Sequence, residues 1–138
     1  MNTLKISLVS LLFVYFLGIN QCFAASQQFA ISQYDLNGAG KLLVINGFKA
    51  AECQKLIETF YSGLKVDCPE CTKDYGACTS DIDPFKNVWE NQKYPLPYVT
   101  SGNLRYIRTG IPRAEVLQWC ATTVANLQKF GRAAQCIM

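Results

Sequence analysis

Cys68-Pro69-Glu70-Cys71 is the spacing in this sequence that could do chemistry, because a Cys-x-x-Cys pair shuttles electrons when its first thiolate sits at a helix N-terminus. Its surroundings argue against that use. The next residues, Thr72 to Cys78, make a poor helix, and the motif lies mid-chain rather than after an opening strand. Zinc would need four thiolates to converge in a compartment that oxidises them. The chain has no histidine, which removes the usual general base and the commonest metal ligand. Asp81 and Asp83 with Glu90 resemble a carboxylate set, but two aspartates flanking Ile82 before Pro84 read as a turn. No phosphate-cradling glycine loop or serine nucleophile motif occurs. The sequence therefore predicts no catalytic residue, cofactor or metal, with Cys68 and Cys71 as the alternative redox pair.

Read as staples, the cysteines make more sense. Lys5, an apolar run from Ile6 to Ile19, polar Asn20 and Gln21, and Cys22-Phe23-Ala24-Ala25 have the layout of a signal peptide, residues 1–24. The run is too short for the roughly 20 residues of a spanning helix, so no stable membrane span is expected after cleavage. The remaining stretch, residues 25–138, suits one domain and keeps six cysteines: Cys53, Cys68, Cys71, Cys78, Cys120 and Cys136. An even count in a short exported chain predicts disulfides and a periplasmic or secreted location.

The elements that would carry these residues are legible from periodicity. Phe29 to Tyr34 and Lys41 to Asn46 predict a β-hairpin around Asn37-Gly38. The second arm is apolar on both faces and should be a central strand. Cys53, Leu56, Ile57, Phe60, Tyr61 and Leu64 predict a helix from about Lys49 to Ser62, stopped by Gly63. From Lys65 to Leu96 prolines, glycines and cysteines predict an irregular stapled loop, with a short helix near Pro84 to Glu90. Tyr98 to Thr100, the turn Ser101-Gly102-Asn103 and Leu104 to Arg108 predict a second hairpin. A last helix starts at Pro112, with Val116, Leu117, Cys120, Val124 and Leu127 on its stripe and Gly131 after its end. The class is α+β: two ββα units forming an antiparallel or mixed sheet with helices on one face and a disulfide-stapled middle loop.

The halves also align. Gly40, Leu42, Ile45, Gly47, Ala51 and Glu52 match Gly102, Leu104, Ile107, Gly110, Ala114 and Glu115 when one residue is inserted after the strand. Shared strand-to-helix chemistry accounts for so few identities without duplication.

The segment Leu42 to Ile57, LLVINGFKAAECQKLI, resembles the strand-then-helix segment of the globular domain of type IVb pilins. The matching positions are Val44 and Ile45, the turn Asn46-Gly47-Phe48, Cys53, and Leu56 with Ile57. The resemblance covers about a fifth of the chain. The long apolar N-terminal helix that such a pilin keeps is replaced here by an ordinary signal sequence. It implies a pilin-like head rather than a shaft subunit, associated with a pilus or secretion system. Pro69 in the Cys-x-x-Cys motif is similar to the glutaredoxin pattern and implies the competing redox activity.

Helix geometry limits the disulfides. If the first helix reaches Leu64, Cys53 lies roughly 16 Å behind its end, whereas the residues to Cys68 span at most about 14 Å. Cys53 is then left with Cys71, Cys78 or Cys136. Cys120 can meet Cys136 only if the tail folds back along the last helix, and a short bridge is expected within residues 68–78.

Charge is uneven. Lys65 to Gln92 is acidic, while from Lys93 onward Lys93, Arg105, Arg108, Arg113, Lys129 and Arg132 face only Glu115. Ordinary solvated surface explains this, as would acidic and basic faces that meet between copies. Arg105 and Arg108 alternate across a strand, which divides the patch and argues against nucleic acid. Together with Trp119 and Phe130, at the flank of the last helical stripe, they are the candidate interface. The expected role is a non-enzymatic protein-binding or surface-assembly domain, whose partners are envelope or extracellular proteins including other copies of itself. A thiol-disulfide oxidoreductase and a secreted inhibitor or effector are the alternatives.

Overall fold

The computed structural model describes residues 28–48 and 52–138. The segment read as a signal peptide, residues 1–24, lies outside the described residues. Strands β1 (Gln28–Asp35) and β2 (Lys41–Phe48) form the first hairpin, followed by helix α1 (Cys53–Asp67) and strand β3 (Thr72–Thr79). A short 3-10 turn (Asp83–Phe85) runs into helix α2 (Lys86–Trp89). Strands β4 (Tyr98–Ser101) and β5 (Leu104–Thr109), helix α3 (Arg113–Lys129) and strand β6 (Gln135–Ile137) complete the chain. All six strands form one antiparallel sheet in the order β3-β1-β2-β5-β4-β6.

This order is that of two ββαβ units, β1-β2-α1-β3 and β4-β5-α3-β6, joined back to back through β2 and β5. The β2–β5 register pairs Val44 with Tyr106 and Leu42 with Arg108. A two-fold axis through the Val44–Tyr106 pair therefore carries Leu42 onto Leu104 and Ile45 onto Ile107, which is the alignment that the two halves show in sequence.

Each half ties its helix to its own edge strand, by Cys53–Cys78 in the first and Cys120–Cys136 in the second. The bridges are alike in kind but not in position. Cys53 opens α1, whereas Cys120 lies two turns into α3.

Side-chain alternation divides the core between two faces. One face of the sheet takes both long helices, α1 over β1 and β3 and α3 over β4 and β6. Ala30, Cys53 and Ile57 pack together there, with Phe48 against them. On the opposite face Phe29, Ile31, Leu43, Ile45, Tyr98 and Ile107 meet Val88 of α2. The segment between β3 and β4 lays Ile82, Phe85, Trp89, Tyr94 and Leu96 over them. The predicted irregular region is thus the lid of the second core layer.

Two expectations need correction, and one further strand is added. Gly63 does not stop α1, which runs to Asp67. A mid-helix glycine costs only about 1 kcal/mol, and the packing of the flanking turns outweighs it. Thr72–Thr79 is not loop but the edge strand β3, exposed along nearly its whole length. It lacks the apolar alternation of a half-buried strand and is ordered by its ladder to β1 and by Cys53–Cys78. The tail forms β6, too short to leave a periodic signal. The end of α3 does match the sequence expectation. Gly131 adopts φ +72°, its N–H donates to the Gln128 carbonyl, and the Arg132 N–H donates to that of Leu127. These two bonds make a Schellman motif.

Candidate functional site

The Cys68–Cys71 disulfide closes the connection between α1 and β3. Cys68 caps α1, its N–H donating to the Leu64 carbonyl at 2.8 Å, and the Cys71 N–H donates to the Cys68 carbonyl at 3.1 Å. The Lys65 ammonium donates to the carbonyls of Pro69 and Cys71. Cys68 is half-buried and Cys71 is buried. The motif therefore stands at the C-terminal end of a helix, where the partial negative charge of the last carbonyls disfavours a thiolate. An exchange enzyme places its nucleophile at the other end.

Asp81 and Asp83 sit where the turn reading put them. The Asp81 carboxylate accepts from the Asp83 N–H at 2.9 Å, and the Asp81 N–H donates to the Thr79 hydroxyl. Among the described residues no three His, Cys, Asp or Glu side chains gather as a metal site. The crevice between α1 and the sheet, lined by Ser32, Val44, Asn46, Ile57 and Phe60, has room for one water molecule at most.

Of the candidate interface residues, only Arg108 and Trp119 are brought together. Arg105 is only 6% exposed and lies beneath α2. Its Nη1 donates to the carbonyls of Gly102 and Leu104, its Nη2 to Trp89 and its Nε to Val88, with the guanidinium 4.7 Å from the Trp89 ring. Burial lowers its pKa. Arg105 is therefore a core strut and offers nothing to a partner. Arg108 points to the helical face, over the Trp119 ring at 5.8 Å, and donates to the Ala39 carbonyl in the first hairpin turn. Burial lowers its pKa too.

The segment between β3 and β4 packs on the opposite face of the sheet and so does not cover Trp119 or Phe130. Trp119 is half-buried and Phe130 stands out at the end of α3.

The pair of sheet edges is what the sequence pattern did not reveal. The exposed large apolar side chains fall beside them: Val66 (80%) and Tyr75 (43%) with α1 and β3, Phe130 (84%) and Met138 (73%) with α3 and β6. The signal was available in Thr72 to Thr79, where threonine, tyrosine and cysteine favour a strand and Lys73 and Asp74 suit an edge. Asp74 is held below the usual carboxylate range by hydrogen bonds from the Lys41 ammonium, at 2.5 Å, and the Gln33 amide, at 3.0 Å. Those two contacts pin β3 across β1 to β2.

The molecule is thus a disulfide-stapled α+β domain with a single antiparallel sheet, both edges of which are uncovered among the described residues. Comparison with known proteins finds no match: no family model, no curated protein and no solved structure is similar to the chain.

Proposed function

We propose that this chain is an exported, non-enzymatic domain that binds or assembles with other proteins outside the cytoplasm. The observation that carries the reading is β3, an eight-residue edge strand exposed nearly throughout and fixed in place by Cys53–Cys78. Such an edge is a ready template for another chain. Three disulfides favour an oxidising location, and among the described residues no helix is long and apolar enough to cross a membrane. The resemblance of Leu42–Ile57 to type IVb pilin heads favours a role in assembly at the cell surface.

The test is photo-crosslinking from a benzoylphenylalanine at Tyr75 in the cells that produce the protein. A discrete adduct with one protein species in the envelope or secreted fraction is expected. A folded protein that gives no adduct from Tyr75, nor from the same probe at Phe130, overturns the reading.

Thiol-disulfide exchange is favoured by one observation, the asymmetry of a half-buried Cys68 joined to a buried Cys71. A Cys71→Ser variant separates the two. Exchange leaves Cys68 trapped in mixed disulfides with client proteins, whereas a structural bridge does not.

A further inference from the structure

The two edges of the sheet differ in charge and run in opposite directions. Each strand is antiparallel to its neighbour, so β6 at one edge is antiparallel to β3 at the other. A second copy displaced sideways along the sheet, without rotation, brings its β3 beside β6 in the antiparallel sense that the sheet already has. Asp67, Glu70 and Asp81 flank β3 and have no salt bridge, the one ion pair among the described residues being Lys41–Asp74. Lys65 and Lys73 at that end both turn towards the Tyr61 ring, at 5.8 and 5.7 Å. At the opposite edge Lys129, which ends α3, and Arg132, between α3 and β6, stand exposed, and no acidic side chain comes after Glu115.

We infer that the acidic β3 edge of one molecule docks on the basic β6 edge of a second copy, head to tail, extending the antiparallel sheet from one molecule into the next. This rests on the reading of the chain as an assembly domain and names its partner. β6 supplies a ladder of only three residues, so the contact also needs the apolar side chains that each end exposes, Val66 and Tyr75 on one and Phe130 and Met138 on the other. Charge chooses the geometry. Pairing β3 with β3, or β6 with β6, sets like charges against each other, which costs association. The head-to-tail contact matches opposite charges and leaves a free edge at each end. Such a heterologous contact propagates until a ring closes, and otherwise grows open chains.

The test uses the purified, oxidised mature chain and sedimentation across a concentration series. At about 20 mM salt the average mass should climb past the dimer, and at about 500 mM salt it should fall back to monomer. Lys129→Glu/Arg132→Glu and Asp67→Lys/Glu70→Lys should each associate about tenfold more weakly alone, because each brings like charges together. Mixed in equal amounts they should recover association, since each supplies the end that the other now complements. A benzoylphenylalanine at Tyr75 should crosslink to the peptide spanning Phe130 to Met138. A species that stops at the dimer, an adduct from β3 to β3, or a mixture no more associated than its parts overturns the proposal. So does a purified chain that stays monomeric throughout. If that monomer still gives a Tyr75 adduct with a different protein in the producing cells, the binding-domain reading stands and only the self-assembly falls.

Discussion

Replacing Arg105 with alanine removes a cation that is satisfied by backbone carbonyls alone. Its guanidinium reaches Gly102 at 2.7 Å, Leu104 at 2.9 Å, Trp89 at 3.1 Å and Val88 at 3.3 Å, and it stacks on the Trp89 ring. Crediting about 1 kcal/mol net to each of the three shorter bonds and about 1 kcal/mol to the ring contact gives a loss of about 4 kcal/mol. That is a large share of the roughly 5–15 kcal/mol typical of a domain. Val88 and Trp89 hold α2 against the core, so the loss should loosen the lid as well. The assay is urea unfolding followed by fluorescence in a Trp119→Phe background, where Trp89 becomes the reporter. Arg105→Lys keeps the charge but cannot span four carbonyls, and should lose about half as much. Arg113→Ala removes an exposed contact to the Pro95 carbonyl and should cost no more than about 0.5 kcal/mol. A loss below about 1 kcal/mol for Arg105→Ala, or one no greater than for Arg113→Ala, refutes the strut assignment.

Gly76 faces α1, and a Cβ built there lies 2.9 Å from Ile57 Cγ2, so Gly76→Ala should cost about 1–3 kcal/mol in the same unfolding assay. Gly40, at φ +86° with the Thr109 carbonyl against it, should tolerate alanine less well than Gly76 does. Removing Cys53–Cys78 or Cys120–Cys136 by paired alanines should each cost about 3 kcal/mol, and removing Cys68–Cys71, which spans three residues, distinctly less. Because the folded-state pKa of Asp74 is depressed, its contribution is present above the unfolded carboxylate value and is lost as pH falls through the folded one. Asp74→Asn should therefore flatten the fall of Tm with acidity below about pH 4, as differential scanning fluorimetry would show.

The regular elements were legible where burial enforces a period. Ile31, Leu43, Ile45 and Ile107 sit at alternate positions on the face of the sheet that α2 covers, and Val116 and Cys120 mark the stripe of α3. Helix stiffness likewise barred Cys53 from Cys68, and the observed pairs lie within the set that this left open. The edges escaped because their order comes from partners distant in sequence. β3 owes its existence to β1 and to Cys53, and β6 to β4 and Cys120, so neither needs an apolar pattern of its own. Arg105 escaped for a related reason. Alternation gives it a face of the sheet but says nothing of the α2 carbonyls waiting above that face. Of the expected interface residues, Arg105 is thus lost to the core while Phe130 stays exposed at one end of the sheet.

No disulfide crosses from one ββαβ unit to the other, and within the first unit Cys68–Cys71 nests inside Cys53–Cys78. An oxidase that joins cysteines in the order they reach it would link Cys53 to Cys68 and Cys71 to Cys78, both wrong, yet would make Cys120–Cys136 correctly. If the chain is exported as proposed, the second unit would mature without editing, while the first would need α1 to become rigid before oxidation or an isomerase afterwards. On the proposed export route, oxidation would therefore separate the two units in time although the architecture is nearly symmetric in space.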